Sequence, residues 1–246
     1  MRFIDRLLSS MNLKLSIAYC LMTLVLSSCV KYDTGINFHS LNDGEFIEHI
    51  QLDDRANNLS QISVQNWVTS IEHRTILAQG RIEHISDREF NAIIPFNNAK
   101  DLTNKANLYF NPDQTASPDG SNFNAHLQID QSNFLVVVKN HLRYDIDLRS
   151  MNVKTQDTGV SIDPAKFIDL NFSLQSPWGI HNNEDPNFIP GVKINNDRQI
   201  TWQLHPGKID RIDATFWLPN PLGIGAILIS LITIAGYYLK YHILPT

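Results

Sequence analysis

The feature that most constrains this chain is the run Leu222–Leu239, 18 residues without a charge. A helix of that length rises roughly 27 Å at about 1.5 Å per residue, close to the roughly 30 Å hydrocarbon core of a bilayer. Phe216 and Trp217 stand just before it and Tyr237, Tyr238 and Tyr241 at its far end, as aromatic residues do at the two membrane interfaces. Pro219 and Pro221 mark the entry. Asp210, Arg211 and Asp213 precede the run and Lys240 follows it, which by the positive-inside rule places the C-terminus in the cytoplasm. A buried core helix is the competing reading, but core helices rarely carry such a run at the very end of a chain. No GxxxG pattern marks a helix partner.

The start of the chain carries a second apolar stretch. Lys14 precedes the run Leu15–Leu26, then come Ser27, Ser28 and Cys29. Twelve residues are the length of a signal-peptide core, too short to span. Leu26, Ser27, Ser28 and Cys29 resemble a bacterial lipobox, in which small residues let the peptidase approach the extended backbone and the cysteine is lipidated. Cys20 competes poorly because bulky Tyr19 precedes it, and an uncleaved leader acting as a short anchor is the alternative. The expected division is a signal peptide over 1–28, an exported domain over 29–218, and a transmembrane helix with a short tail over 219–246. A domain held at both ends stays in its own bilayer, an inner (plasma) or thylakoid membrane, crossed once.

Leader and tail removed, the middle carries 16 basic against 24 acidic residues. That balance argues against a nucleic-acid partner, whose phosphates need basic contacts. Cys20 and Cys29 are the chain's two cysteines, so the domain has no disulfide framework and no cysteine metal site.

The middle reads as α+β. Thr34–Ser40 and Glu45–Asp53 alternate around a Leu41–Gly44 turn, with Phe46, Ile50 and Leu52 on one face. Ser60 can cap a helix with Val64, Trp67, Val68, Ile71, Thr75 and Ala78 at spacings of three and four, ended by Gly80. A second hairpin spans Arg81–Phe96. Asn97 or Asn98 then caps a helix that turns Ala99, Leu102, Ala106, Tyr109 and Phe110 inward, stopped by Pro112. After the turn-rich stretch 111–122 the helical period gives way to alternation. Phe123, Ala125, Leu127 and Ile129 share a face, as do Leu142, Tyr144, Ile146 and Leu148, with Arg143, Asp145, Asp147 and Arg149 outward and able to pair across strands. The expected architecture is one antiparallel sheet with two helices on one face, ββαββα followed by about six strands and then the C-terminal transmembrane helix.

No catalytic pattern emerges. Glu48-His49, Glu72-His73 and Glu83-His84 repeat an acid–imidazole pair, but neighbours on a strand point to opposite faces, and exposed polar residues are the better reading. HExxH, GxSxG and a phosphate-cradling glycine loop are absent from the sequence, and 113–122 lacks the ligand alternation of a calcium loop. Asp145 and Asp147, flanked by arginines, read as an outward charge ladder. The expectation is a protein without catalytic residues, metal or cofactor.

CVKYDTGINF after the lipobox, EFNAIIPFNNAKDL into the second helix, and WLPNPLGIGAIL into the span resemble the lipoproteins of cyanobacteria and plastids related to the mycobacterial LppM-like family. The resemblance covers nearly the whole mature chain. It implies a membrane-tethered α+β domain and lipid or glycolipid binding, and it supplies no catalytic residues. The expected ligand is therefore a membrane lipid or other amphiphile, with Trp67, Tyr109 and Trp202 as candidates to line its site and core packing as the competing role for each. The alternative is a scaffold that binds an integral membrane protein complex through its acidic face.

Replacing Cys29 with Ser should abolish lipidation yet leave the protein in the membrane pellet, because a spanning helix holds permanently where one acyl chain holds only marginally. Recovery of Cys29→Ser as soluble protein after cell breakage would show that 222–239 does not span.

Overall fold

The computed structural model describes residues 30–52, 61–111, 124–149 and 168–243. The leader, Cys29, the Ser60 cap, the 112–122 stretch and Phe123 lie outside these residues, as do the side chains of Val64 and Trp67.

Strands β1 (Val30–Ser40) and β2 (Asp43–Leu52) form the first hairpin, and strict alternation sends Ile36, Phe38, Phe46 and Ile50 into the core. Helix α1 (Gln61–Leu77) follows and buries Ile71 and Thr75. The second hairpin, β3 (Arg81–Ser86) with β4 (Glu89–Phe96), pairs through β4 with β2. Helix α2 (Ala99–Phe110) is capped by Asn98, whose side chain accepts from the Asp101 N–H at 2.9 Å, while the Asp101 carboxylate accepts from the Asn97 N–H at 3.0 Å. The five residues expected to face inward, Ala99, Leu102, Ala106, Tyr109 and Phe110, are its buried ones.

Seven strands follow: β5 (Asn124–Asn133), β6 (Val137–Asp147), β7 (Ile168–Gln175), β8 (Ile180–Asn182), β9 (Val192–Ile194), β10 (Gln199–Gln203) and β11 (Ile209–Pro219). They divide, and the single antiparallel sheet expected from the sequence is two sheets. One has the order β3-β4-β2-β1-β7-β10-β9, the other β5-β6-β11-β8. The first contains a parallel pair, β1 with β7, in register from Val30 opposite Ile168 to Asn37 opposite Gln175. Alternation tells which side of a strand is apolar but not which strand lies beside it, so neither the division nor the parallel pair could be read from the pattern.

The inner faces of the two sheets pack on each other. Phe38 meets Phe216 with ring centroids 4.8 Å apart, and Tyr144 meets Phe172 at 4.8 Å. Helix α1 lies against β3, β4 and α2, whereas α2 touches β4 of one sheet and β5 of the other. The side chain of Asn107 on α2 behaves as a neighbouring strand would. Its Nδ2 donates to the Leu127 carbonyl at 2.9 Å and its Oδ1 accepts from the Leu127 N–H at 2.9 Å. Asn111 Nδ2 donates to the Ala125 carbonyl at 2.7 Å. Backbone groups of the edge strand β5 are thereby satisfied from the helix and withheld from another chain. On the outer face, Arg143 pairs with Asp213 at 3.7 Å and Arg211 with Asp145 at 3.6 Å, the cross-strand ladder that the alternating charges predict.

Helix α3 (Pro221–Tyr238) continues from β11 after a cap at Asn220, with proline at its first position. With the following turn, Pro221–Tyr241 is long and apolar enough to cross a membrane, with mean hydropathy 2.0, and its most apolar window is 6% buried by the rest of the protein. Gly223 rests on the turn between β5 and β6, where a Cβ would overlap the Leu135 carbonyl. Asn220 donates its N–H to the Val136 carbonyl at 2.9 Å and its side-chain amide to Asn133 at 3.4 Å. Helix and domain therefore leave each other through a packed joint.

Asn98→Ala should lower the unfolding free energy by about 1 kcal/mol, the usual worth of such a cap, read as a fall in denaturation midpoint at constant slope.

Candidate functional site

Two of the aromatic residues singled out in the sequence, Tyr109 and Trp202, are 1% and 0% exposed. A continuous file of rings joins them: Tyr109 to Phe110 at 5.3 Å between centroids, Phe110 to Tyr144 at 5.9 Å, Tyr144 to Phe172 at 4.8 Å, and Phe172 to Trp202 at 5.7 Å. The file runs from α2 across the second sheet to β10. Offset and edge-on contacts of this kind add to plain burial. In this conformation neither Tyr109 nor Trp202 reaches the surface, and Trp67 and Cys29 lie outside the described side chains.

Around Tyr109 the core is polar. Glu48 on β2 is fully buried, and its Oε2 accepts a hydrogen bond from the Tyr109 hydroxyl. Its Oε1 has no hydrogen-bond partner among the described residues. The Tyr32 hydroxyl and the Arg74 guanidinium face the same carboxylate. Arg74 also stacks over the Tyr109 ring at 5.3 Å and donates from Nε to the Ser70 carbonyl at 3.3 Å. Burial pushes the Glu48 carboxyl up from the usual carboxylate range, against the opposing pull of the Tyr109 and Tyr32 hydroxyls and the Arg74 charge. Burial and the neighbouring carboxylate push the Tyr109 and Tyr32 phenols well up. The cluster ties β1, β2, α1 and α2 together through one carboxyl group.

Glu48, expected from the sequence to be an exposed polar residue, is instead buried. The signal was present: Glu48 falls between Phe46 and Ile50 at a spacing of two, so the pleat that buries them buries it. His49 turns outward as expected, to Asn91 at 2.7 Å and Glu89 at 3.3 Å.

Beside the other end of the aromatic file lies an open cleft of about 470 Å³. It is bounded by Asn182 at the end of β8, the connection 183–191, and Lys193 on β9. Trp202 sits against its wall: the indole N–H donates to Asn182 Oδ1 at 3.0 Å, and a Cβ on Gly191 would come within 2.6 Å of Trp202 Nε1. Pro186, Phe188 and Pro190 supply apolar surface, and Asn183, Glu184 and Asp185 supply polar atoms. Asp185 is committed to the loop, accepting from the Asn187 N–H at 2.9 Å. Lys193 is 3.7 Å from Asp197. The volume falls within the range of roughly 300–1,000 Å³ of small-molecule sites. Strands β8 and β9, at three residues each, are too short to show alternation in the sequence.

Architecture and cleft together define a two-sheet α+β domain that ends in an apolar helix long enough for a bilayer. The chain belongs to DUF3153, a family described as protein of unknown function, whose model matches residues 34–243. It is also similar to the folded domain of the Mycobacterium tuberculosis LppM protein, solved by NMR, with 14% identity, 80% of this chain and 94% of that chain covered, and a TM-score of 0.41. No curated protein matches it.

The buried carboxyl should leave a signature in stability against pH. A carboxyl whose pKa is raised by folding is favoured in its neutral form, so its contribution is intact below the unfolded pKa and is lost as pH rises through the folded one. Glu48→Gln removes that titration. Denaturation midpoints of the variant should therefore gain on the natural protein from about pH 4.3 upward and run parallel to it below. A constant difference across the range would show that Glu48 titrates normally.

Proposed function

We propose that this chain is a membrane-tethered binding domain that holds a lipid or other amphiphile beside the bilayer its C-terminal helix enters. The observation that carries this reading is the cleft between β8 and β9. Its amide groups, carboxylates and lysine suit a polar head, while Pro186, Phe188 and Pro190 suit the first methylenes of a tail. The register that sets Asn182 opposite Ala214 puts the cleft five residues along β11 from Pro219, roughly 17 Å from the entry into α3 at the usual rise per residue. That is within the length of a lipid. In the same reading the leader is cleaved at Cys29, the cysteine is acylated, and the domain stands on the exported side.

The acidic balance of the domain supports a second reading, a scaffold for an integral membrane complex, which needs no cleft. Native mass spectrometry of the full-length protein extracted from its membranes separates the two. The amphiphile reading expects a retained adduct of lipid mass that is lost in Phe188→Asp. A clean apo mass, with no rise in melting temperature on adding membrane lipid extract, overturns it, and crosslinking in intact membranes should then return a stoichiometric protein partner.

A further inference from the structure

The hairpin turn between β5 and β6 breaks the usual chemistry of turns in water. Its residues are Phe134, Leu135 and Val136, where glycine, asparagine, aspartate or proline is the norm. Leu135 takes φ +66°, the left-handed region that a branched apolar residue enters at a cost. The backbone is held there by Phe134 N–H to the Val137 carbonyl at 2.8 Å and by Leu135 N–H to Asn133 Oδ1 at 3.0 Å. The strain gains no burial inside the protein, since Phe134 is 57% and Leu135 58% exposed.

The same end of the second sheet presents two more large apolar side chains. Trp217 on β11 is partly exposed and lies 6.2 Å from the Phe134 ring between centroids. Trp178, 54% exposed, sits in the turn leading into β8. That turn is fixed to β11 on both sides, by Ser176 Oγ to the Trp217 carbonyl at 3.4 Å and by the pairing of Ile180 with Phe216. Lys139 stands over the Trp217 ring at 5.8 Å, with its charge where phosphate headgroups would lie.

We propose that the β5–β6 tip, with Trp178 and Trp217, is inserted into the surface of the membrane that α3 crosses. The occupant follows from the joint. Gly223 rests on the Leu135 carbonyl and Asn220 bonds Val136, so the tip is held level with the first turn of α3. Where α3 enters the hydrocarbon, the tip stands at the interface, and aromatic residues with a nearby lysine are the composition of that layer. The inference rests on α3 being a span and is independent of the cleft.

The test uses the full chain with Cys20 and Cys29 replaced by Ser, reconstituted in vesicles of phosphatidylcholine and phosphatidylglycerol. An environment-sensitive fluorophore is attached in turn at Leu135→Cys, Trp178→Cys, Ile229→Cys on α3 and Ile76→Cys on α1, and nitroxide-labelled lipids serve as quenchers. Positions 135 and 178 should emit to the blue of position 76 and be quenched by shallow nitroxides roughly two-fold or more beyond it, as interfacial residues are. Quenching at 229 with water-like emission at 135 and 178 overturns the inserted tip and leaves the span standing. No quenching at 229 overturns both. Blue emission at 135 without quenching assigns the tip to a contact with a second copy of the chain and also overturns the proposal. Phe134→Cys repeats the measurement if Leu135→Cys does not fold.

Discussion

The parallel pairing of β1 with β7 is the contact on which the rest of the architecture depends. It joins residues some 138 positions apart, from Val30 opposite Ile168 to Asn37 opposite Gln175. Without it the first sheet would fall into two pieces, the four strands of the hairpins β1–β2 and β3–β4 on one side and β7, β10 and β9, with Trp202, on the other. Long closures are entropically costly, and this one is stabilised by what it buries. Phe172 and Leu174 on β7 enter the core beside Ile36 and Phe38 on β1. Asn171 adds a polar tie, donating from its amide to Asp33 at 2.9 Å.

Glu48 shows how the same architecture accommodates a polar group. An unpaired buried charge costs several kcal/mol, and a protein can respond by raising the carboxyl pKa or by surrounding it with donors. Here both responses coexist, since the Tyr109 hydroxyl and Arg74 oppose a shift that burial drives. The result is directional. Apolar contacts between α1, α2 and the first sheet would tolerate sliding, whereas a phenol meeting one carboxylate oxygen fixes α2 against β2.

How much of this could be read from the sequence depended on the range of the interaction. The α2 face, a cap at Asn97 or Asn98 and the outward ladder of Arg143 and Asp145 were legible because spacings of two, three and four residues determine them. Glu48 was legible too, by its parity with Phe46 and Ile50, although its chemistry invited the opposite reading. The division into two sheets was not legible, because β6 and β1 carry the same alternation and only three-dimensional closure decides which partner each takes. Nor was the cleft, which is built from two three-residue strands and a connection whose shape follows from contacts with Trp202 and β11. The aromatic candidates were legible as apolar and large, but whether such a ring lines a site or fills a core is decided by neighbours that the chain supplies from elsewhere.

The direction of β1 has a consequence for how the domain can rest on a surface. Val30 lies at the end of the first sheet away from Ser176, eight residues of strand or about 25 Å along β7, and Ser176 bonds the Trp217 carbonyl close to where α3 departs. Cys29 directly precedes Val30 in the sequence. An acyl chain on that cysteine and a helix leaving after β11 would hold the domain at two separated points, like the two feet of a footbridge. The strands could not then stand upright on the bilayer. While the acyl chain stays inserted they would recline along it, the domain would lose its freedom to swivel about α3, and a strip of lipid as long as β7 would lie in its shadow.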